Sequence, residues 1–250
     1  MRRFFIEEIE SREGNCVITG SEARHISRVL RMGKGDRLIL MDGKGNRFET
    51  LIESVRKNEI HAVIERRLPG PSPSPVEIDL CQALLKTGSM DFLIEKTSEL
   101  GVDRIIPFSS ERTVVNLDGD RAVARVRRWK EISRAAAKQS DRIRPVEISP
   151  PIPFQELTER FSQVSGLKVV MWEDEEKRDL KKVLRSSPEK DRIIGMVGPE
   201  GGFSERDIKR AREAGFISVS AGNRILRAET AAITLVAIVQ YEWGDLSLIK

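Results

Sequence analysis

Two short loops near the end of the chain carry residue types that can hold and turn over a polar ligand with an aromatic ring. The first is Gly198-Pro199-Glu200-Gly201-Gly202, directly after the apolar run Ile193–Val197 and just before a helix start at Ser204. Its three glycines let backbone N–H and C=O groups approach a ligand closely, and the following helix N-terminus favours polar or anionic groups. A tight strand-to-helix turn with no ligand satisfies the same spacing. The second loop runs from Ala221 through Gly222, Arg224, Ile225, Leu226, Arg227, Glu229 and Thr230 to Ala231, and enters a helix of small and apolar residues. Ile225 and Leu226, set between two arginines, suit an apolar wall for a ring such as adenine. A hydrophobic staple into the core is the competing reading.

Other chemistries lack their residues. No Gly-x-Gly-x-x-Gly follows a strand and no Walker A sequence occurs, so the common nucleotide-binding fingerprints are missing. The two histidines, His25 and His61, lie in the small N-terminal unit and form no ligand cluster with Cys16 or Cys81, so no metal site is expected. Two distant cysteines suit a reducing compartment and no disulfide framework. No apolar run approaches the roughly 18 residues of a membrane span. The N-terminus lacks the apolar segment of a signal peptide, so a soluble cytoplasmic protein is expected.

The net charge of +4 is mild, but its distribution is uneven. Arg121, Arg125, Arg127, Arg128, Lys130, Arg134, Lys138, Arg142 and Arg144 face only Glu131 and Asp141 in their stretch. Arg24, His25, Arg28, Arg31, Lys34 and Arg37 form a second cluster. Each cluster alone reads equally as a solvated face; two in one chain tilt the reading towards phosphate contact.

The elements that must position these residues fall on either side of a linker. Four prolines between Pro69 and Pro75 exclude helix and favour an extended spacer. The expected domains are therefore 1–70 and 76–250. Before the linker, Phe4–Ile6, Asn15–Ile18, Arg37–Met41, Arg47–Val55 and Ile60–Arg66 read as strands, with a hairpin at Asp42–Asn46. One helix interrupts them, capped by Ser21 and carrying His25, Ile26, Val29 and Leu30 at helical spacing. A small barrel with one helix is expected. After the linker, strands at Val76–Cys81, Arg104–Phe108, Lys168–Trp172, Arg192–Val197 and Phe216–Ser220 alternate with helices, which predicts an α/β fold with a parallel sheet. The helices are Ser89–Leu100, Asp120–Gln139 with Val123, Val126, Trp129, Ile132 and Ala136 on one face, one capped at Ser204, and Ala228–Tyr241.

Together the two loops resemble a known signature. GPEGGFS, followed about twenty residues later by G-x-RILR-x-ETA, is similar to the pattern of the RsmE-type ribosomal RNA methyltransferases within the SPOUT superfamily. MRRFF, HISRVLRMGKGD, KTGSMDFLIEKTSELGVDRIIPFSSERTVV, RWKEISRAAAKQSDRIRPVEI and Met171-Trp172-Glu173 extend the resemblance across the chain in order. Ala221, Ala228 and Lys138 depart from the pattern.

The resemblance implies an N-terminal PUA/OB-like β-barrel that binds RNA and a C-terminal SPOUT domain with a trefoil knot. It implies a homodimer that methylates N3 of a uridine in small-subunit ribosomal RNA, with S-adenosyl-L-methionine as methyl donor. The cofactor would lie against Trp172, Glu173, Gly198, Pro199, Glu200, Gly201, Gly202, Gly222, Ile225, Leu226, Arg227, Thr230 and Ala231. Uridine N3 is a poor nucleophile until its proton leaves, so the site needs a base or a cation that stabilises the developing anion. Arg227 is the expected cation, and Glu229 or Glu200 the group that orients or accepts the proton; pairing of Glu229 with an arginine is the simpler alternative. Arg2, Arg3, Arg24, His25, Arg28 and Arg31 are the expected RNA contacts. Two other functions remain open at this point: an RNA-binding assembly factor without catalysis, and a SPOUT enzyme acting on another RNA position.

Overall fold

The computed structural model describes residues 1–6, 14–188 and 191–246. The chain forms two compact units: residues 1–72 with 137–145, and residues 73–136 with 146–250.

The first unit holds β1 (Arg3–Phe5), β2 (Asn15–Ile18), β3 (Arg37–Met41), β4 (Arg47–Val55) and β5 (Ile60–Leu68) in one sheet, ordered β1-β3-β4-β5-β2. Pairing is antiparallel except between β1 and β3. The run Arg37-Leu-Ile-Leu-Met41 is buried almost throughout because both faces of β3 are covered. Leu38 and Leu40 pack with Phe4, Ile18, Ile26, Ile52 and Ile60. Ile39 and Met41 pack on the other side with Phe5 and Ala137, which explains why the segment 137–145 belongs to this unit. In the same segment Asp141 lies 2.7 Å from Arg3 and 3.2 Å from Arg47, and Lys138 pairs with Glu22 at 2.7 Å.

The expected helix of this unit is shorter and irregular. α1 (Gly20–Arg24) passes into a π-helical turn at His25–Val29, and Thr19, not Ser21, occupies the N-cap position without a side-chain bond. The wider turn rotates Val29 out to 69 % exposure and leaves Ile26 as the buried member of the expected face. Arg31, beyond the turn, has φ +53°.

The second unit is a parallel sheet covered on both faces, as βαβ connection requires. In chain order it contains β6 (Glu77–Ala83), α2 (Thr87–Glu99), β7 (Arg104–Ser109), α3 (Gly119–Gln139, whose last residues join the first unit), β8 (Glu147–Ile148) and β9 (Ile152–Pro153). Then follow α4 (Phe154–Ser162), β10 (Leu167–Met171), α5 (Leu180–Ser186), β11 (Arg192–Val197), α6 (Glu205–Glu213), β12 (Ile217–Val219) and α7 (Ala228–Glu242). The strand order is β12-β10-β11-β6-β7-β8, with β9 also paired to β7. This order is consistent with the threading the resemblance implies.

Strand β11 shows how an all-apolar strand serves two layers. Ile193 and Val197 face a core with Leu93, Trp129 and Leu235, whereas Ile194 and Met196 face Phe108, Phe154 and Ile208. Between them, a side chain on Gly195 would collide with Leu235, so glycine sets how closely α7 approaches the sheet. On α3 the expected apolar face is only partly covered: Trp129 and Ala136 are buried, while Val123 is 68 % exposed. At the amino ends of the central strands the fully buried Asp79 accepts two bonds from Arg104, at 2.6 and 2.9 Å, and two from Arg192, at 2.7 and 3.3 Å. This ion cluster ties β6, β7 and β11 together at the end opposite the carboxyl-end loops.

Candidate active site

The carboxyl ends of β12, β10, β11 and β6 open into a cavity of about 620 Å³ within the second unit. Its size falls in the range of roughly 300–1,000 Å³ typical of small-molecule sites. Each of the four strands contributes the loop that follows it, in the position where open parallel sheets bind ligands.

The loop after β10 brings Trp172, Glu173, Glu175 and Glu176 to the wall. Its foundation is the buried carboxylate of Glu175. That group accepts the Ser218 hydroxyl, the Lys177 main-chain N–H at 3.1 Å and the Arg212 guanidinium at 3.3 Å. Arg212 also donates to Ser218 at 2.8 Å and lies 5.4 Å from the centre of the Trp172 ring. Burial pushes the Glu175 carboxyl up, but the Ser218 and Lys177 bonds with the Arg178 and Arg212 charges outweigh it, and the net shift is downward.

The loop after β11 is closed by Gly202 N–H donating to Pro199 O at 2.9 Å. Gly202 has φ +69°, and a side chain there would run into the Glu173 carboxylate, so two walls of the cavity meet at a glycine. Gly198, Pro199, Glu200 and Gly202 line the cavity. Gly201 is directed elsewhere: its carbonyl accepts from Arg112 at 3.2 Å. The cap expected at Ser204 is present and is a full capping box, with Asp207 N–H on the Ser204 hydroxyl at 3.1 Å and the Asp207 carboxylate on Ser204 N–H at 3.2 Å.

The loop after β12 supplies Gly222, Asn223, Arg224, Ile225, Leu226, Arg227 and, on the first turn of α7, Ala228, Glu229 and Ala231. Gly222 has φ +101°, a conformation open to glycine at no steric cost. The two readings of Ile225 and Leu226 separate here. Leu226 packs in part against the core, while Ile225 is 88 % exposed on the cavity wall. Arg227 occupies the N-cap position of α7 without a side-chain cap bond. Among the described residues neither Arg227, which is exposed, nor Glu229, which is half-buried, has an ion-pair partner. Thr230 is exposed and is not part of the wall.

Sequence reasoning missed Lys86 and Ser89, which line the cavity from the loop after β6 and the first turn of α2. The sequence carries no signal for them: it is the pairing of β6 beside β11 in the parallel sheet that opens its carboxyl end on the same side.

In the first unit Arg2, Arg24, His25, Arg28 and Arg31 are exposed. Arg3 differs, since it is half-buried against Asp141. The described residues contain no group of three side chains able to hold a metal ion, and no described helix is long and apolar enough to cross a membrane.

Two family models match the chain: an RNA methyltransferase domain over residues 72–240 and an RNA methyltransferase PUA domain over residues 18–65. The ribosomal RNA small subunit methyltransferase E of Bacillus subtilis (strain 168) is 30 % identical over 250 residues, covering 97 % of each chain. The chain belongs to the ribosomal RNA small subunit methyltransferase E family. Another member, from Mesomycoplasma hyopneumoniae (strain 232), is 34 % identical over 94 % of this chain and 97 % of its own. Among solved structures, the family member from Neisseria gonorrhoeae bound to S-adenosyl methionine superposes with a TM-score of 0.90 at 34 % identity, covering 99 % of this chain and 100 % of that one. A putative methyltransferase from Legionella pneumophila, in complex with the same cofactor, gives 0.88 at 30 % identity with 98 % of each chain covered. In this member of the methyltransferase E family, the cavity-lining residues all fall within the matched methyltransferase domain, and Arg24, His25, Arg28 and Arg31 within the matched PUA domain.

Proposed function

We propose that the protein is an S-adenosylmethionine-dependent methyltransferase that modifies N3 of a uridine in small-subunit ribosomal RNA. The observation that carries the reading is the convergence of the loops after β6, β10, β11 and β12 on one cavity. Its chemistry fits the cofactor. Ile225 and Leu226 offer an apolar wall to a purine, Gly222 leaves open space where a side chain would stand, and Glu173, Glu176, Glu200 and Glu229 suit a ligand with two positive groups and one negative.

When bound, S-adenosylmethionine supplies an electrophilic methyl group on a sulfonium. The chain's residues must hold it in line with the base, and deprotonate that base. Glu229, half-buried on the wall with no ion pair among the described residues, is assigned the N3 proton. Arg227, one position before α7 begins, is assigned the developing negative charge at a uracil carbonyl oxygen. Glu200 takes a positioning role, because its carboxylate is engaged with the Lys86 main chain at 3.0 Å.

The exposed basic residues Arg2, Arg24, His25, Arg28 and Arg31 support RNA contact by the first unit, whereas Arg3 is half-buried and paired with Asp141. The protein acts as a homodimer in the cytoplasm on this reading. The packed helices α2 and α7 leave Phe92 47 % and Tyr241 64 % exposed, as an apolar contact with a second copy would use.

The test is calorimetric titration with S-adenosylmethionine followed by nucleoside analysis of small-subunit RNA incubated with protein and cofactor. Saturable binding and a new N3-methyluridine are the expected results. Binding without any methylated product would replace the reading with that of an assembly factor.

A further inference from the structure

We propose that Lys86 is a catalytic cation that stabilises the uridine anion from the side of the cavity opposite the loop after β12. The proposal rests on the methyltransferase reading above and adds to it a substrate-facing residue.

The strand order decides the geometry. The cavity runs across β12, β10, β11 and β6, three strand spacings, or about 14 Å. The apolar wall of Val219, Ile225 and Leu226 belongs to the β12 end, and Lys86 to the β6 end. A purine held at the first end leaves the second for the incoming base.

Charge points the same way. Of the three cations on the wall, Arg224 and Arg227 belong to the Gly222–Arg227 loop, and Lys86 is the one cation from elsewhere. Its side chain is exposed and has no ion-pair partner among the described residues. Its backbone, by contrast, is fixed. The Lys86 N–H donates to Glu200 at 3.0 Å, and its carbonyl accepts Met90 N–H at 3.0 Å, so the first turn of α2 is anchored. Below it, Arg125 donates to the Thr87 hydroxyl. An unpaired ammonium on a fixed stem can reach into the cavity without first breaking a salt bridge.

The step balances without another reactant. The N3–H proton passes to the Glu229 carboxylate, the N3 electron pair forms the bond to the methyl carbon, and the pair of the broken sulfur–carbon bond stays on sulfur. Between the first and second events the uracil ring carries a full negative charge over N3 and its two carbonyl oxygens. Arg227 and Lys86, arriving from two loops, share that charge.

The experiment uses the full chain, transcribed small-subunit ribosomal RNA and radiolabelled cofactor. For wild type, Lys86→Ala and Lys86→Arg, it measures cofactor affinity by calorimetry, RNA affinity by filter binding, and the single-turnover rate across pH. Removing one preorganised donor costs about 100-fold in rate. Lys86→Ala should lose on that order, with both affinities within a few-fold of wild type and the pH–rate profile displaced to higher pH. Lys86→Arg should recover most of the rate. An unchanged rate and profile in Lys86→Ala overturns the proposal while leaving the methyltransferase reading intact. Loss of cofactor affinity matching the loss of rate overturns it in favour of a structural role for the α2 start. Absence of methylated uridine with wild type overturns the underlying reading, and the proposal with it.

Discussion

The carboxylate of Glu200 accepts the main-chain N–H of Lys86 at 3.0 Å, and thereby joins the glycine-rich loop after β11 to the first turn of α2. One side chain sets the spacing of two cavity walls that are 114 residues apart in sequence. Glu200→Ala removes the acceptor, whereas Glu200→Gln retains one. A typical hydrogen bond contributes about 1 kcal/mol, near five-fold in an equilibrium constant. Cofactor affinity measured by calorimetry should fall by about that factor in the alanine variant and by less in the glutamine variant.

Arg227→Ala tests the assignment of the anion-stabilising role. Turnover should drop about 100-fold, with cofactor affinity changed far less. A parallel loss of both quantities would make Arg227 a structural N-terminal residue of α7.

Gly222→Val and Gly198→Val test the glycine loops. At φ +101° a side chain on residue 222 is strained by about 1–2 kcal/mol. At residue 198 a Cβ would sit 3.1 Å from the Phe203 ring, tight enough to move one or the other. Both variants should lose cofactor binding while keeping the circular dichroism of the folded protein. Retained affinity in both would remove these loops from the binding site.

Glu175 gives a dependence on pH. Its carboxyl is held below the ordinary glutamate value of about 4.3. Because the folded value is the lower one, its contribution to stability is complete above the ordinary value and is lost as pH falls through the folded value. The melting temperature of wild type should exceed that of Glu175→Gln by a constant margin at neutral pH, and the margin should shrink in acid. A margin that grows on acidification would contradict the Ser218–Arg212 arrangement as its source.

Charge reversal at Arg28 and Arg31 addresses the first unit. Both are exposed, so folding should be little affected. RNA affinity should weaken and its slope against salt concentration flatten, as fewer counterions are released. Unchanged binding would leave the π-helical turn a scaffold.

The sequence was most legible where one local rule set the outcome. Strands β2, β3, β4 and β11 run between the residues their patterns indicate, and Ser204 caps its helix as read. It was least legible where long-range packing intervened. The π-helical turn at His25–Val29 breaks the period on which the Val29 and His25 positions were read. The short α4 and α5 carry too few turns to stand out, although Phe154, Leu157 and Phe161 mark one face of α4. In the site, both glycine loops announced themselves through composition. Lys86 did not, because a lone lysine after a strand carries no pattern; only its neighbour β11 gives it meaning.

The division of the chain has a consequence for how the protein is made. The polypeptide enters the first unit twice, at residues 1–72 and again at 137–145. As the ribosome delivers it, the amino-terminal sheet emerges without Ala137 to cover Ile39 and Met41, and without Asp141 beside Arg3 and Arg47. It must wait for residues 73–136, over a third of the other unit, before it can be completed. A fragment cut at the proline-rich linker would therefore be missing its own last piece. To obtain the first unit alone, a protein engineer would have to graft residues 137–145 back onto it.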